Sequence, residues 1–286
     1  MTPEMLSDLV STDWLAQRLD APDIRIVEAS WHLPDSGRDA GAEYKANHIP
    51  GAVFFDIDDI ADSDNPLPHM LPSPEKFASR VRRLGIGDGH RVVIYDRSAC
   101  RSAARAWWMF RAFGCQDVAV LDGGFEKWLA EALPLDDLPP MPRERHFSAR
   151  FDNLLVRNKA QVARAVASGK EQILDARAAN RFQGLEPEPR PGLRSGHMPG
   201  ARNLPFAQVL RQDGTFKAPD QLFALFTEAG IDMSAPVITT CGSGISACVL
   251  SLALHLAGHR EVAVYDGSWS EWGADPEAPI AGGDTV

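Results

Sequence analysis

Cys241 stands where a hydrophobic run, VITTC, gives way to GSGIS and then to an alanine- and leucine-rich stretch, ACVLSLALHLAG. That order predicts a strand, a turn from Cys241 to Ser246, and a helix starting near Ala247. A turn of this kind curls backbone N–H groups around one point. Gly242 and Gly244 permit the unusual dihedrals the curl needs, and the helix N-terminus adds partial positive charge. A thiol held there is expected to ionise readily, its pKa falling from about 8.5 into a range of roughly 3.5 to 7.5, and to stand open to solvent as a nucleophile. The address suits a reaction centre, because ligands of open α/β sheets collect outside the carboxyl ends of strands. An arbitrary free cysteine is more often a buried small hydrophobe. That plainer reading is kept for Cys100, Cys115 and Cys248, the last of them inside the helix and beneath the turn.

The elements that must position Cys241 occur twice. LVSTDWLAQRL from Leu9 is answered by LVRNKAQVARAV from Leu155, and IRIVE by QILDA. His-x-Pro-Gly-Ala occurs at His48–Ala52 and His197–Ala201, VVIYD is matched by VITTC, and LDGGFEKW by YDGSWSEW. The interval from His48 to Asp96 is 48 residues and that from His197 to Cys241 is 44. A duplication of this kind sets the architecture: an α/β chain of two tandem domains, each a central, mainly parallel sheet flanked by helices. The runs VVIY, VAVL, VITT and VAVY are apolar on both faces, as parallel strands covered on both sides must be. The proline- and charge-rich stretch Leu133–Arg150 reads as the junction, giving domains at 1–135 and 153–286 with a linker at 136–152. Asp96 stands at the cysteine's position in the first half, so that half is expected to have no cysteine chemistry of its own. The His-x-Pro-Gly-Ala histidines occur in both halves and are therefore expected to be structural. The tryptophans read as core and inter-domain packing.

Composition narrows the function. The 286 residues carry a net charge of -10, which disfavours a nucleic-acid role, since phosphate backbones need a basic face. The start, MTPEMLSDLVSTDWL, has neither a cationic nor an apolar leader region, and no run reaches the roughly 18 apolar residues of a membrane span. The cytoplasm is the expected compartment, with no membrane partner. Four cysteines make no disulfide framework at this length, and no Cys/His spacing fits zinc. No metal or organic cofactor is expected.

CGSGIS, RFQGLEPEPRPGLRSGHMPGA, HIPGAVFFDID, HMLPSPEKF and YDGSWSEWG together resemble the tandem-domain sulfurtransferases of the rhodanese superfamily, over nearly the whole chain. Among them the chain is most similar to the members that prefer 3-mercaptopyruvate. The resemblance implies that Cys241 takes a sulfur atom as a persulfide and passes it to a thiol acceptor such as thioredoxin, or to cyanide in an assay, with pyruvate released. It also implies a substrate site formed by Gly242, Gly244, Ile245 and Ser246 of the turn, with Arg181 and Arg190 on the substrate carboxylate. A guanidinium fork suits that group. Asp58, His69 and Ser243 match a proposed proton relay of the family. In thiosulfate-preferring members an arginine and a lysine follow the cysteine, whereas here Gly242 and Ser243 do.

Plainer readings stand beside these. Arg181 and Arg190 could be surface residues paired with Glu186 or Glu188. His69 could be a loop histidine, and Asp56, Asp59, Asp62 and Asp64 compete with Asp58. A thiosulfate:cyanide sulfurtransferase and a non-catalytic sulfur-relay module are the alternatives. A phosphatase of the Cys-x5-Arg type is disfavoured, because Ala247 occupies the arginine's place.

Overall fold

The computed structural model describes residues 6–282. The chain falls into two compact units. Among the described residues, one comprises 6–63, 71–152 and 212–216, and the other 64–70, 153–211 and 217–282.

Each unit is built on a five-stranded parallel sheet. In the first, β1 (Leu9–Val10), β2 (Ile24–Glu28), β3 (Val53–Phe54), β4 (Arg91–Tyr95) and β5 (Val118–Leu121) lie in the order β1-β5-β4-β2-β3. In the second, β6 (Val156–Arg157), β7 (Gln172–Asp175), β8 (Arg202–Asn203), β9 (Val237–Thr240) and β10 (Val262–Tyr265) lie in the order β6-β10-β9-β7-β8. The two orders are the same once the duplication is allowed for. Every residue of β5, β9 and β10 is buried. This explains their β-branched composition: strands covered on both faces carry no polar alternation.

Helices Ala103–Ala112 and Ala247–Leu256 pack against β5 and β10. Each ends before a glycine in the left-handed region, Gly114 (φ 90°) and Gly258 (φ 89°), a conformation that costs glycine nothing. Helix Lys159–Ser168 opens on a capping box between Asn158 and Gln161, which satisfies two otherwise unpaired amides. No helix among the described residues is long and apolar enough to cross a membrane.

The repeated histidines hold matching positions. His48 Nδ1 bonds the carbonyl of Tyr44 at 2.8 Å, and His197 Nδ1 bonds that of Phe182 at 2.8 Å. Each ring stacks on the aromatic residue whose carbonyl it meets. Both are ring-and-backbone clamps, which accounts for the motif in each half. Trp107, Trp108, Trp128, Trp269 and Trp272 are all buried.

The stretch read as a linker is not a free tether. The His48 and Asp136 backbones form an antiparallel bridge. Further along, the His146 carbonyl accepts from Asp88 N at 2.8 Å and Arg150 N donates to Phe113 O at 2.9 Å. Phe147 is 3% exposed and packs edge-on to Phe77. Much of 136–152 is thus laid onto the first unit as a strap. Pattern reading missed this because a strap has no period.

Candidate active site

Cys241 directly follows β9, and the helix Ala247–Leu256 starts at the predicted residue. Between them Gly244 lies at φ 81°. The carbonyls of the turn are consumed. Cys241 O accepts from Trp269 N at 3.0 Å, and Gly242 O from Ser270 N at 2.8 Å and Ser270 Oγ at 2.7 Å. Gly244 O takes the Cys248 thiol at 3.2 Å, while Ile245 O and Ser246 O take the N–H groups of Cys248 and Val249. The donors are left over. The N–H groups of Gly242, Ser243, Ile245, Ser246 and Ala247 reach no acceptor among the described residues. Buried amides are almost always paired, so a run of unspent donors beside a helix N-terminus marks an anion-accepting turn.

The first unit shows the same turn already filled. Asp96 follows β4, and its Oδ1 accepts from Ser98 N at 2.9 Å and Ser98 Oγ at 3.0 Å, while Oδ2 accepts from Ala103 N at 2.7 Å. Arg97 N and Ser102 N are bonded to the Ser30 and Ser98 hydroxyls. Burial holds the Asp96 carboxyl above its ordinary range, against the pull of Ala103 N–H. There the chain supplies its own acid to the turn. In the second unit the residue at that position, after β9, is Cys241.

The Cys241 backbone is pinned from below. Its N–H donates to Ser268 Oγ at 3.2 Å, and that hydroxyl donates to Tyr265 O at 2.8 Å. Ser268 sits at φ 48° where its counterpart is Gly124 at φ 61°. A left-handed conformation costs a non-glycine residue about 1–2 kcal/mol, offset here by those two bonds. The pattern did not single out Ser268 or Ser270, although their place in the repeated YDGSWSEW segment was a signal.

Cys241 is 2% exposed, which overturns the expectation of a sulfur open to solvent. The reason is its place at the end of a strand buried on both faces, flanked by Thr240, Ser243 and Ile245, all buried. The turn nevertheless meets the surface at Gly242 and Ser246, which are both half-buried.

Arg181 reaches this turn: a Cβ placed on Gly242 would lie 3.2 Å from its guanidinium nitrogen. Glu188, buried, orients it through a short bond to Arg181 Nη2 and a longer one, 3.4 Å, to Nε. The ion pair that sequence reading held as the plain alternative is therefore present, but within reach of the turn. Glu188 also takes Arg177 Nη1 at 2.7 Å, and Arg177 grips Asp175 and lies over Trp269 at 4.2 Å. Burial works against the charge of Arg177, yet Asp175 and Glu188 outweigh it and hold the guanidinium above its ordinary pKa. Arg177 was missed in the sequence, its only signal being the charged pair around Ala176 at the end of β7.

Arg190 Nη2 lies 3.4 Å from His69 Nε2. His69 is buried, in a left-handed conformation (φ 61°). Ser243 is buried within the turn. Asp58 belongs to the first unit, where it is exposed and accepts from Trp31 Nε1 at 2.9 Å. Cys248 is fully buried. That matches its plain reading, whereas Cys115 is half-buried, with burial raising its thiol to about 12.

The rhodanese-like domain family matches this chain twice, over residues 11–131 and 158–275. A human protein, 3-mercaptopyruvate sulfurtransferase, is 44% identical over 99% of this chain and 98% of its own length. Thiosulfate sulfurtransferase of Cricetulus griseus is also 44% identical, over 96% of this chain and 95% of its own. The crystal structure of SseA from Escherichia coli, presented as showing the rhodanese fold and catalytic mechanism of 3-mercaptopyruvate sulfotransferases, superposes with a TM-score of 0.85. It is 40% identical and covers 92% of this chain and 99% of that one.

Proposed function

The chain belongs to the rhodanese-like family, and from that premise we propose that it moves the sulfur of 3-mercaptopyruvate through a persulfide on Cys241 to a thiol acceptor such as thioredoxin. The Cys241 thiolate attacks the substrate sulfur. The S–S bond forms as the C–S bond breaks, and its electron pair leaves on the pyruvate enolate, which takes a proton and departs as pyruvate. The acceptor thiolate then takes the outer sulfur and the Cys241 thiolate returns. The observation that carries this reading is the run of unspent N–H groups around Cys241, set against the twin turn that Asp96 fills. Fixed donors aimed at developing negative charge are worth most where water is excluded. Arg181, steadied by Glu188, and Arg190 are assigned to the substrate carboxylate, and His69, Ser243 and Asp58 to proton movement. Cytoplasmic residence is part of the same reading.

Relatives of equal similarity carry the names of two donors, and the turn favours one. Thiosulfate is a dianion whose charge lies beside the sulfur, and Gly242 and Ser243 offer no cation there. Mercaptopyruvate carries its charge some atoms away, where a guanidinium such as Arg181 can meet it. Side-by-side initial rates with the two donors are expected to favour mercaptopyruvate.

Mass spectrometry after incubation with 3-mercaptopyruvate tests the whole scheme. One added sulfur should map to Cys241, with pyruvate released in step. Cys241→Ser should lose both signals, and Cys248→Ser should keep both. Substantial turnover by Cys241→Ser would refute the assignment.

A further inference from the structure

The duplication builds one groove twice, at the end of each sheet where the strands begin. In the second unit it is a hollow of about 200 Å³ around Gln172, Gly200, Arg202 and Gly230. In the first it is a cavity of about 310 Å³ around Arg25, Gly51, Val53 and Gly85, walled by Pro142, Arg143 and Arg145 of the strap. Strand registers place Arg25 opposite the position of Gln172, since Val27 pairs with Val53 as Leu174 pairs with Arg202. We propose that the first-unit cavity binds a small multivalent oxyanion, a phosphate- or polycarboxylate-bearing metabolite, between Arg25, Arg143 and Arg145.

Three observations support the site. First, none of these arginines takes part in an ion pair among the described residues. Arg25 donates only to backbone carbonyls, those of Gly85 at 3.2 Å, Pro22 at 2.9 Å and Ile24 at 2.7 Å. The nearby acids are few: Asp20 lines the same cavity, Glu144 is exposed between the two strap arginines, and Asp23, which also attracts Arg25, is bonded to Arg91. Second, the positive charges crowd one another. Burial and then Arg145 draw Arg25 below its ordinary pKa, and His90 is lowered by burial, Arg25 and Arg145 in turn. An anion between them relieves that repulsion, and guanidinium forks match carboxylate and phosphate oxygens.

Third, the wall is preformed. A Cβ on Gly85 would lie 2.6 Å from Pro142 Cβ, and one on Gly87 would lie 2.5 Å from His146 O. Only glycine lets the strap lie this close. Asp88 and Arg82 then tie it down through Ser148 and the Phe147 carbonyl. A volume of about 300 Å³ is the lower end of what small-ligand pockets occupy. The bare groove of the second unit falls below that range, so the strap turns a by-product of the fold into a cavity of useful size.

Titration calorimetry on the full chain at low ionic strength tests this, with pyrophosphate and citrate as probes. Saturable binding of one equivalent of either is expected. Tighter binding of pyrophosphate identifies a phosphate-bearing ligand, and tighter binding of citrate a polycarboxylate. Arg25→Gln, which copies the twin groove, combined with Arg145→Gln should weaken binding at least tenfold. Arg143→Gln with Arg145→Gln, both at exposed positions that leave the fold intact, should also weaken it. Arg164→Gln, on an exposed helix face of the second unit, should leave it unchanged. The proposal is overturned if neither probe saturates, if the paired variants bind like the wild type, or if Arg164→Gln weakens binding as much as they do. Repeating the titration on Cys241→Ser keeps the result independent of any sulfur chemistry.

Discussion

A cysteine 2% exposed can react only with what fits the mouth of its turn, and that mouth lies at Gly242 and Ser246. Gly242 has ordinary backbone angles, and a Cβ there meets nothing closer than the Arg181 guanidinium at 3.2 Å. That end of a long side chain can give way, so Gly242→Ala should leave the melting temperature nearly unchanged. The displaced guanidinium loses its hold on a substrate carboxylate. Disturbing one charge-assisted contact by about 1 kcal/mol raises KM roughly fivefold, with kcat altered less. Steady-state kinetics with 3-mercaptopyruvate checks this, and an unchanged KM would remove Arg181 from the substrate site. The same variant tests Arg181 apart from Arg190, because Arg181 is what a Cβ on Gly242 meets.

At the scale of elements, the segment Asp175–Glu188 carries two buried carboxylates and two guanidiniums between β7 and the turn. Glu188 is the shared partner, and its side chain and that of Arg177 are each 1% exposed. Replacing it by Gln leaves Arg177 with Asp175 and the Gly196 carbonyl and loosens the hold on Arg181. Breaking a buried pair costs about 3–5 kcal/mol, with Asp175 offsetting part of it. Glu188→Gln should therefore lower the denaturant midpoint clearly and raise KM, whereas Glu186→Gln, at an exposed position, should do neither. A variant with an undisturbed midpoint would show the network to be dispensable.

These parts were unequally legible in the sequence. β4, β5, β9 and β10 were readable because strands buried on both faces must be unbroken β-branched runs. The helix start at Ala247 was readable because glycines precede an apolar stretch. β3 and β8 are two residues each and leave no period to find. Arg177 and Glu188 lie eleven residues apart and meet only because the chain between them folds back. The burial of Cys241 follows from the covering of β9, which composition does not describe.

The whole molecule repeats one sheet and one turn, the turn filled by Asp96 in the first unit and left with unspent donors in the second, and a strap secures the half whose turn is filled by its own acid. One polar anchor of the strap is Asp88, Arg82 being another. Ser148 N–H donates to its carboxylate at 3.0 Å and Ser148 Oγ at 2.8 Å, and the backbone bond above all holds the carboxyl below its ordinary pKa. A depressed pKa in the folded state means the unfolded strap binds the proton more tightly. The stabilisation is therefore complete above the unfolded value, about 3.9, and is lost as pH falls through the lower folded value. The group is largely exposed, so solvent screens the effect, and a local response is expected rather than global unfolding. Hydrogen exchange of residues 140–150, followed by mass spectrometry, should be severalfold faster in Asp88→Asn than in the wild type at pH 7. The two should converge as pH drops below 4, because the wild type then loses the same charge. Equal exchange at pH 7 would mean that Phe147, Arg82 and the backbone bonds seat the strap and the Asp88 carboxylate contributes nothing to it. A loosened strap should also open the arginine-walled cavity, so Asp88→Asn should weaken pyrophosphate or citrate binding at pH 7 while leaving persulfide formation at Cys241 intact.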